Sequence, residues 1–362
     1  MEHYNPLLAR DGQSPKFITI GEIMLRLTPP NYEKIRMASS FEASYGGSEA
    51  NIALALANLG VDSTFFTVVP NNSLGKSAIR WLRSNDVHCT PVILSTPAET
   101  PTHRLGTYYL ETGYGIRASK VIYDRKHSAI AEYDFSGVDL GELLEGFDWL
   151  HLSGITPALS SGCKDLILNC MKTAKEKGMT VSFDGNFRSN LWTWDEARDF
   201  CTECLPYVDV LFGIEPYHLW KDENDHSKGD WKDGVPFQPN YEQQDEVFQH
   251  FIERYPNIKC IARHVRYAHS GSENSLKAYM WYEGHTFESR LFTFNILDRV
   301  GGGDAFASGL IYAMMHGYRA MDMVNFAVAS SVLKHTIHGD ANITDDAESI
   351  RSLMNMNYDI KR

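Results

Sequence analysis

The chain has 362 residues, 43% of them hydrophobic, and a formal net charge of −12 at pH 7. This length and composition allow a full hydrophobic core, either in one large α/β domain with an insertion or in two domains. No apolar run reaches the length of about 18 residues that a transmembrane helix needs. The acidic balance, without a compensating cluster of Lys and Arg, argues against a nucleic-acid surface. An anionic substrate remains compatible with it, because such a ligand needs only a local pair of cations.

Two features of the sequence predict a cytoplasmic protein. Residues 1–15 lack the charged-then-apolar order of a signal peptide, and we expect them to form an N-terminal extension. Six cysteines are scattered along the chain, and only Cys201 and Cys204 have the spacing of a metal or redox pair. They fall in a predicted helix, 196–205, without a second pair or nearby histidines. We therefore expect reduced thiols, with a zinc or redox role as the alternative.

In chain order, the first predicted elements are a strand, a glycine turn and a helix. The run 16–27 is apolar and rich in β-formers, which predicts a strand. A helix follows to residue 59, opened by Gly46 and Gly47, and its small residues leave room for a ligand near that turn. Asn51 would face back toward the two glycines. Alternatively, the glycines only make the loop.

The next segment, 62–77, contains a strand and a near match to a phosphate-binding loop. The strand is predicted over 62–69. In the loop that follows, Pro70 occupies the position where the phosphate loop requires its first glycine. Proline lacks the backbone amide that would bind phosphate, so we interpret 70–77 as a loop and a helix start.

Between residues 100 and 134 the pattern changes to alternating and aromatic residues. Segments 103–110 and 119–123, with glycines between them, predict a β-hairpin or small sheet. The polar and aromatic side chains of this segment are Arg104, Tyr108, Tyr109, Tyr123 and Arg125. They form either one exposed face or a lid over a sugar.

Regular alternation of strands and helices then resumes. Strands are predicted at 149–154, 180–183, 208–212, 259–264 and 277–282, and helices at 163–177, 196–205, 245–255 and 321–335. Segment 221–244 is polar and is interpreted as a surface insertion. This alternation predicts an α/β fold, a doubly wound and mostly parallel sheet with helices on both faces. Ligands bind such sheets beyond the carboxyl ends of the strands.

The turn 298–304 contains three successive glycines, Gly301, Gly302 and Gly303, followed by a helical apolar pattern. Glycines allow a sharp turn and close approach to a ligand, and the amides at a helix start attract phosphate. Asp304 lies in the first helical turn, where a carboxylate could accept the proton of a hydroxyl that attacks the phosphate. The alternative is a glycine-rich turn that Asp304 merely caps.

These motifs resemble those of the ribokinase-type carbohydrate kinase family. The turn that runs from Asp298 to Asp304 is similar to the C-terminal signature, Asp, two residues, then Gly-Ala-Gly-Asp. Gly46-Gly47 with Asn51 is similar to the N-terminal signature. The resemblance covers about 16–355, and within the family it is closest to the 2-keto-3-deoxygluconate kinases through three segments, 151–159, 184–192 and 338–340. It implies one kinase domain, 16–362, with lid strands from about 22–45 and 100–134.

The resemblance implies transfer of the ATP γ-phosphoryl group to 2-keto-3-deoxygluconate, giving its 6-phosphate, with ATP and Mg²⁺ as cofactors. Asp304 is then the catalytic base, and the amides of Gly301, Gly302 and Gly303 form the anion hole. The implied sugar-acid site consists of Gly46, Gly47, Asn51, Tyr109, Tyr123, Arg125, Arg188 and Asp340. Arginine suits a substrate carboxylate because its two parallel donors match the two oxygens. Asn325 is implied to lie near the nucleotide.

Two family motifs are missing. The Asn-x-x-Glu motif expected after strand 208–212 lacks its Asn, which leaves Glu215 as the candidate carboxylate for Mg²⁺. The Lys-x-Gly-x-x-Gly nucleotide loop is absent after strand 259–264, and Arg263 or Arg266 is a candidate replacement for its lysine. Arg299, unusual in the signature, could contact an ATP phosphate.

Other functions remain open at this stage. A related kinase for fructose, a nucleoside or a deoxy-inositol-derived acid is one alternative, and a catalytically silent sugar-binding relative is another. A dehydrogenase is excluded because no Gly-x-Gly-x-x-Gly follows the first strand. The expected partners are the sugar acid and ATP, without nucleic acid or membrane. Exposed lid aromatics favour a homodimer.

Overall fold

The computed structural model describes residues 15–214, 217, 231–232, 235–236, 241–344 and 346–357. Its strands are β1 Lys16–Ile20, β2 Met24–Thr28, β3 Glu42–Gly46, β4 Asp62–Phe66, β5 Val68–Pro70, β6 Ile93–Ser95, β7 Thr107–Glu111, β8 Lys120–Asp124, β9 Trp149–Ser153, β10 Thr180–Asp184, β11 Val210–Phe212, β12 Trp231–Lys232, β13 Val235–Pro236, β14 Cys260–Ala268, β15 Glu273–Tyr282, β16 His285–Glu288 and β17 Phe292–Asn295. Its α-helices are α1 Ser48–Asn58, α2 Ser73–Arg83, α3 Ala129–Glu132, α4 Leu140–Leu143, α5 Ser161–Glu176, α6 Trp194–Cys204, α7 Tyr241–Arg254, α8 Gly302–Met315, α9 Ala320–Lys334 and α10 Ala347–Met354.

A nine-stranded sheet forms the centre, in the order β16-β15-β14-β11-β10-β9-β1-β4, with β17 also paired to β15. The six strands from β14 to β4 are parallel to one another, and β15, β16 and β17 add antiparallel pairs at one end. The predicted α/β fold with a mostly parallel sheet is confirmed. The antiparallel end was only partly predicted, because β16 and β17 are short and have no helix between them.

Both faces of the sheet are covered because successive strand residues point to opposite sides. Phe17 packs with α8 and α9 residues such as Phe306 and Phe326. The next residue, Ile18, packs on the other face in the cluster that includes Phe200 of α6 and residues of α5 and α7. The two cores hold the strand ends, and with them the loops, in fixed positions.

A second sheet, β3-β2-β7-β8, lies apart from the central one. Its strands come from the two segments that the resemblance implies for a lid. The predicted single strand 16–27 is therefore wrong: it divides into β1 and β2, which belong to different sheets. At the break, the amide of Gly21 still donates to Phe66 O (3.2 Å), whereas the amide of Leu25 donates to Gly106 O (2.9 Å). Glu22 lies at this joint.

All six cysteines are buried free thiols. Cys201 and Cys204 lie within α6, and burial raises the pKa of both thiols well above its ordinary value. Among the described residues, no three His, Cys, Asp or Glu side chains cluster closely enough to hold a metal ion. The helices of the described chain are too short or too polar to cross a membrane.

Candidate active site

A cavity of about 640 Å³ opens at the carboxyl ends of the parallel strands. The joint after β1, the loop after β10 and the outer half of β14 reach it, as does the glycine turn that precedes α8. The inner face of the small sheet covers one side through Tyr108 and Tyr123. Segments far apart in sequence thus meet at the edge where the fold predicts a ligand.

The glycine turn is shaped by its neighbours as well as by its own flexibility. Gly301 has φ of 79°, a left-handed conformation that favours glycine, and α8 begins at the next residue. A Cβ atom at Gly301 would collide with the main-chain oxygen of Asp340, and one at Gly302 with the ring of His335. The Gly302 contact explains why glycine stands where the family signature has alanine. Gly303 has open space, with only His264 Cε1 at 3.7 Å.

Asp304 lines the cavity and is held by two donors from the start of α1. Ser48 Oγ donates to Asp304 Oδ1 and Asn51 Nδ2 donates to Asp304 Oδ2, both at 2.7 Å. Asn186 Nδ2 donates to Ser48 Oγ (3.0 Å), which extends the network to the loop after β10. Burial raises the pKa of Asp304, and the hydrogen bonds from Asn51 and Ser48 and the charge of Arg188 oppose that rise. The result is a fixed carboxylate that binds a proton more readily than an exposed one.

Glu49 is a second carboxyl group of the cavity, which the sequence reasoning missed. It is 1% exposed, and its Oε1 accepts from Ser153 Oγ (2.7 Å) and Thr156 Oγ1 (2.8 Å). Burial raises the pKa of Glu49 to about 7. No cation pairs with it among the described residues. Its bonds join the start of α1 to the loop after β9.

Arg125 lies at the cavity, as predicted, but its charge is already balanced. Its Nε donates to Glu22 Oε2 (2.8 Å), and its Nη2 makes a second bond to the same oxygen. Both side chains are buried, with relative exposures of 7% for Arg125 and 3% for Glu22. The guanidinium also lies over the ring of Tyr123, 5.7 Å from its centroid. The predicted role of Arg125 as a free fork for a carboxylate therefore needs correction, since a partner from the β1–β2 joint occupies the fork.

Asp340 is likewise at the cavity and belongs to a buried charge network. Arg26 of β2 donates to Asp340 Oδ1 (2.6 Å) and to Asp298 Oδ2 (2.5 Å). The hydroxyl of Tyr108 donates to Asp340 Oδ2. Arg26 and Asp298 were not predicted as partners, because nothing local in sequence relates them. The network joins the small sheet to the glycine turn.

Three other arginines face the cavity without a carboxylate partner in the described chain: Arg188, Arg266 and Arg299. Burial and the charges of Arg299 and Arg188 lower the pKa of Arg266 to about 10. Burial also lowers the pKa of Arg299. Like charges this close repel one another, so the cluster is unfavourable until an anion joins it. A polyanion is the ligand that such a group of guanidinium ions favours.

Of the two aromatic residues predicted for the sugar site, Tyr123 lines the cavity and Tyr109 differs from the prediction by one strand position. Tyr108, which is 2% exposed, and Tyr123 line the cavity. Tyr109 does not, because adjacent residues of a strand point to opposite faces. Its ring packs on the outer face against Phe41, with centroids 5.9 Å apart. The placement of Tyr109 in the sugar site is therefore corrected in favour of Tyr108.

Other predicted residues have mixed positions. Gly47 lines the cavity, whereas Gly46 lies beneath Asp340, whose carboxylate a Cβ at that position would strike. Asn325 lies away from the cavity: it accepts from the Arg290 amide (2.9 Å) and donates to Met321 O (2.7 Å). Its role as a nucleotide contact stays a prediction.

Arg263 lies at the cavity edge, and its Nη1 donates to Gln244 Oε1 (3.0 Å). Arg266 is three residues further along β14, which extends beyond the predicted strand end and thereby carries it to the cavity. Glu215 lies outside the described residues.

The cavity suits a nucleotide polyphosphate. Three guanidinium groups without a carboxylate partner in the described chain face the same space as the start of α8, where helix amides attract anions. Mg²⁺ is usually held by one or two carboxylates together with substrate phosphates, so its site would form with the nucleotide. Asp304 faces the same cavity: burial raises its pKa, and the charge of Arg188 is among the influences that oppose this rise.

The known proteins to which this chain is similar include carbohydrate kinases. Residues 14–216 match the model of the pfkB family carbohydrate kinases. A 2-dehydro-3-deoxygalactonokinase of Haloferax volcanii is 31% identical over 340 residues, covering 93% of this chain and 96% of the relative. The crystal structure of 2-dehydro-3-deoxygluconokinase from Thermotoga maritima is 36% identical, with a TM-score of 0.83 and coverage of 94% and 99%. An E. coli structure described as a ribokinase II candidate with ATP and Mg²⁺ matches at 19% identity and a TM-score of 0.74, covering 94% and 99%, which supports the fold alone.

Proposed function

The chain belongs to the pfkB family of carbohydrate kinases, and from this premise we propose that it phosphorylates a 2-keto-3-deoxy sugar acid with ATP. The acid would be 2-keto-3-deoxygluconate, also called 2-dehydro-3-deoxygluconate, and the product its 6-phosphate. The observation that carries the proposal is the position of Asp304. Its half-buried carboxylate shares one cavity with a glycine turn and with three arginines that lack a carboxylate partner in the described chain.

In this proposal Asp304 accepts the proton of the terminal hydroxyl as that oxygen attacks the γ-phosphorus. Ser48 and Asn51 hold the carboxylate in one orientation through their 2.7 Å bonds. The raised pKa of Asp304 makes it a stronger base than an exposed aspartate. Bound Mg²⁺ would supply further charge neutralisation on the phosphates. The backbone amides of Gly301, Gly302 and Gly303 would stabilise charge on the moving phosphoryl group, as oriented donors do without reorganisation.

The remaining cavity residues divide between the two substrates. Arg266 and Arg299 are proposed to bind the ATP phosphates, since their mutual repulsion is relieved by a polyanion. Arg188 is proposed to bind the sugar carboxylate, because Arg125, the other predicted candidate, is paired with Glu22. Tyr108 and Tyr123 would cover the sugar and exclude water, which limits wasteful hydrolysis of ATP.

A closely related substrate is a second candidate. The relative from Haloferax volcanii is named for 2-dehydro-3-deoxygalactonate, and the one from Thermotoga maritima for 2-dehydro-3-deoxygluconate. The two acids share the carboxylate, the ketone and the terminal hydroxyl that the proposed site uses. They differ in the configuration of one carbon, so a direct comparison of both is part of the test.

The test is ATP consumption with a panel of both sugar acids and fructose, using the wild type, Asp304→Asn and Arg188→Leu. We expect turnover with at least one acid, and Asp304→Asn should lower kcat by about 10²- to 10⁴-fold. Arg188→Leu should raise KM for the acid about tenfold or more, because a charge-assisted hydrogen bond is lost. Thermal melts control for folding. An unchanged KM in Arg188→Leu would favour a neutral-sugar kinase, and sugar binding without turnover would favour a silent relative.

A homodimer in the cytoplasm completes the proposal. The outer face of the small sheet carries exposed apolar side chains, including Phe41 and Ile122, that pairing of two such sheets would cover. Burial of all six free thiols suits a reducing compartment. Light scattering after size exclusion measures the oligomeric state.

A further inference from the structure

Lys334 is a fully buried lysine behind the glycine turn. It is the last residue of α9, and its side chain has no exposed surface. Its ammonium donates to two main-chain oxygens, Asp298 O and Ile337 O, each at 3.2 Å. No carboxylate of the described chain lies within ion-pair distance of it. Burial of a lysine costs free energy because its ammonium loses water. An apolar residue could fill position 334 without that cost, so the charge there calls for a physical explanation.

The surroundings of Lys334 contain balanced charges. Arg26 and Lys334 are the buried cations of this region, and Asp298 and Asp340 are its buried carboxylates. Arg26 bridges both carboxylates directly. Burial lowers the pKa of Lys334, and the charges of Asp298 and Asp340 oppose that fall. Removal of the ammonium would leave two carboxylates facing one guanidinium.

The two carbonyl groups that Lys334 binds flank the anion-binding turn. Asp298 begins the turn, and its side chain accepts from the amides of Val300 and Gly339, both at 3.1 Å. Ile337 leads into the loop whose Asp340 main-chain oxygen packs directly against Gly301. The ammonium therefore joins the backbone segments on both sides of Gly301 from behind. Ser331 of α9 adds a bond to Gly302 O (2.7 Å).

We propose that Lys334 is a positioning residue, an internal cation that holds the two loops together so that the glycine amides point into the cavity. This inference rests on the proposed phosphoryl transfer. It states that the positive charge of Lys334, rather than the volume of its side chain, holds the two loops together. Two carbonyl oxygens converging on one charge will accept another small cation if the side chain is removed. A displacement of about 1 Å at the turn can cost about 10²-fold in rate.

The experiment is chemical rescue of Lys334→Ala. We expect kcat to fall about tenfold or more, with little change in KM for the sugar. Ammonium or methylammonium chloride should restore at least a third of the lost activity, whereas tetramethylammonium chloride, too large for the space, should not. Wild-type activity should respond equally to all three salts. Retention of kcat within twofold, or a loss that neither small cation repairs, would overturn the inference.

A second variant separates charge from packing and covers the case in which Lys334→Ala is unfolded. Lys334→Gln keeps much of the volume and a neutral donor, so it should show a comparable loss of kcat; wild-type activity in this variant contradicts the inference. Lys175→Ala is the matched control, because that ammonium also bonds a carbonyl, Met179 O (3.5 Å), and a carboxylate, Asp209 Oδ2 (2.6 Å), far from the cavity. Its kcat should stay unchanged.

Binding of the nonhydrolysable ATP analogue AMP-PNP with Mg²⁺, measured by calorimetry, separates this inference from the proposed function. If the wild type turned over no sugar acid, the proposed function would fail. The affinity for AMP-PNP would still be expected to fall about tenfold in Lys334→Ala and to recover with methylammonium. Equal affinities of wild type and variant would overturn the positioning role.

Discussion

Two sides of the cavity carry arginines in opposite electrostatic states. On the side of the small sheet, Arg26 and Arg125 are buried against Asp298, Asp340 and Glu22. On the side of β14 and the glycine turn, Arg188, Arg266 and Arg299 have no carboxylate partner in the described chain. The first set behaves as part of the fold, and the second as a site that an incoming anion completes.

The difference shows why residue type alone does not identify a binding arginine. A buried guanidinium that already binds a carboxylate has recovered part of its desolvation cost, and a second carboxylate would have to displace the first. An arginine that lies among other arginines, in contrast, is stabilised by any anion that binds to it. Whether an arginine already has a carboxylate partner is therefore more informative than its residue type. By this criterion Arg125, which is paired, differs from Arg188, which has no carboxylate partner in the described chain.

The largest expected effect is a loss of stability in Arg125→Leu, on the side of the small sheet. Removal of this guanidinium leaves Glu22 buried without its partner, which should lower the free energy of unfolding by about 3 to 5 kcal/mol. Urea denaturation measures the loss. The double variant Glu22→Gln with Arg125→Leu should recover most of it, because no uncompensated charge remains. Equal stability of wild type and Arg125→Leu would show that the pair is a binding site rather than part of the fold.

The open side should respond in the opposite way. Arg266→Ala is expected to leave the melting temperature unchanged or raised, since it relieves repulsion with Arg299 and Arg188. It should weaken ATP binding by about tenfold to 100-fold, as loss of a charge-assisted hydrogen bond predicts. The measurements are thermal melts and KM for ATP.

The matched control for Arg266→Ala is Arg198→Ala, which removes a half-buried guanidinium paired with Asp195 and Asp199 on α6. Neither quantity should change in that variant beyond a small effect. A drop in melting temperature for Arg266→Ala without a change in KM for ATP would contradict its assignment to the nucleotide.

Glu49 extends the comparison of paired and unpaired charged groups to an acid, since it is a cavity carboxyl group without any cation partner in the described chain. Its pKa of about 7 lies above the ordinary value of 4.5, so its protonated form stabilises the fold. That contribution is complete below about pH 4.5 and is lost as the pH rises through 7. Glu49→Gln, neutral at every pH, should therefore become more stable than the wild type by about 3 kcal/mol near pH 8.

Urea denaturation of both proteins from pH 5 to pH 8 measures this difference. Glu99→Gln is a control, because hydrogen bonds to Thr96 lower the pKa of that exposed carboxylate. A stability difference between wild type and Glu49→Gln that does not grow with pH would show that Glu49 is ionised in the folded protein at neutral pH.

Local features of the site were predictable from the sequence. Three successive glycines before an apolar helical pattern predict a sharp turn followed by a helix. In the structure Gly301 has a left-handed conformation and α8 starts directly after it. Asn51 was expected to face a glycine turn, and it contacts both Gly47 and Asp304. In each case the deciding interactions lie within a turn of helix or follow from strand–helix alternation.

Pairings between distant segments were not predictable in this way. Arg125, directly after β8, meets Glu22 at the joint between β1 and β2, and no local pattern selects that carboxylate over the others. Tyr109 was placed on the wrong face because the phase of a short strand depends on its neighbours. Lys334 stood unnoticed in an apolar helix, where one charged residue normally indicates an exposed position.

The contact between Gly302 and His335 has an evolutionary consequence. Because the imidazole fills the space that a methyl group at residue 302 would need, the two positions are bound to change as a pair. A lineage that acquires alanine in this turn must first, or at the same time, exchange its histidine for something smaller. Grafting a relative's turn into this protein would therefore fail unless the graft included the end of α9.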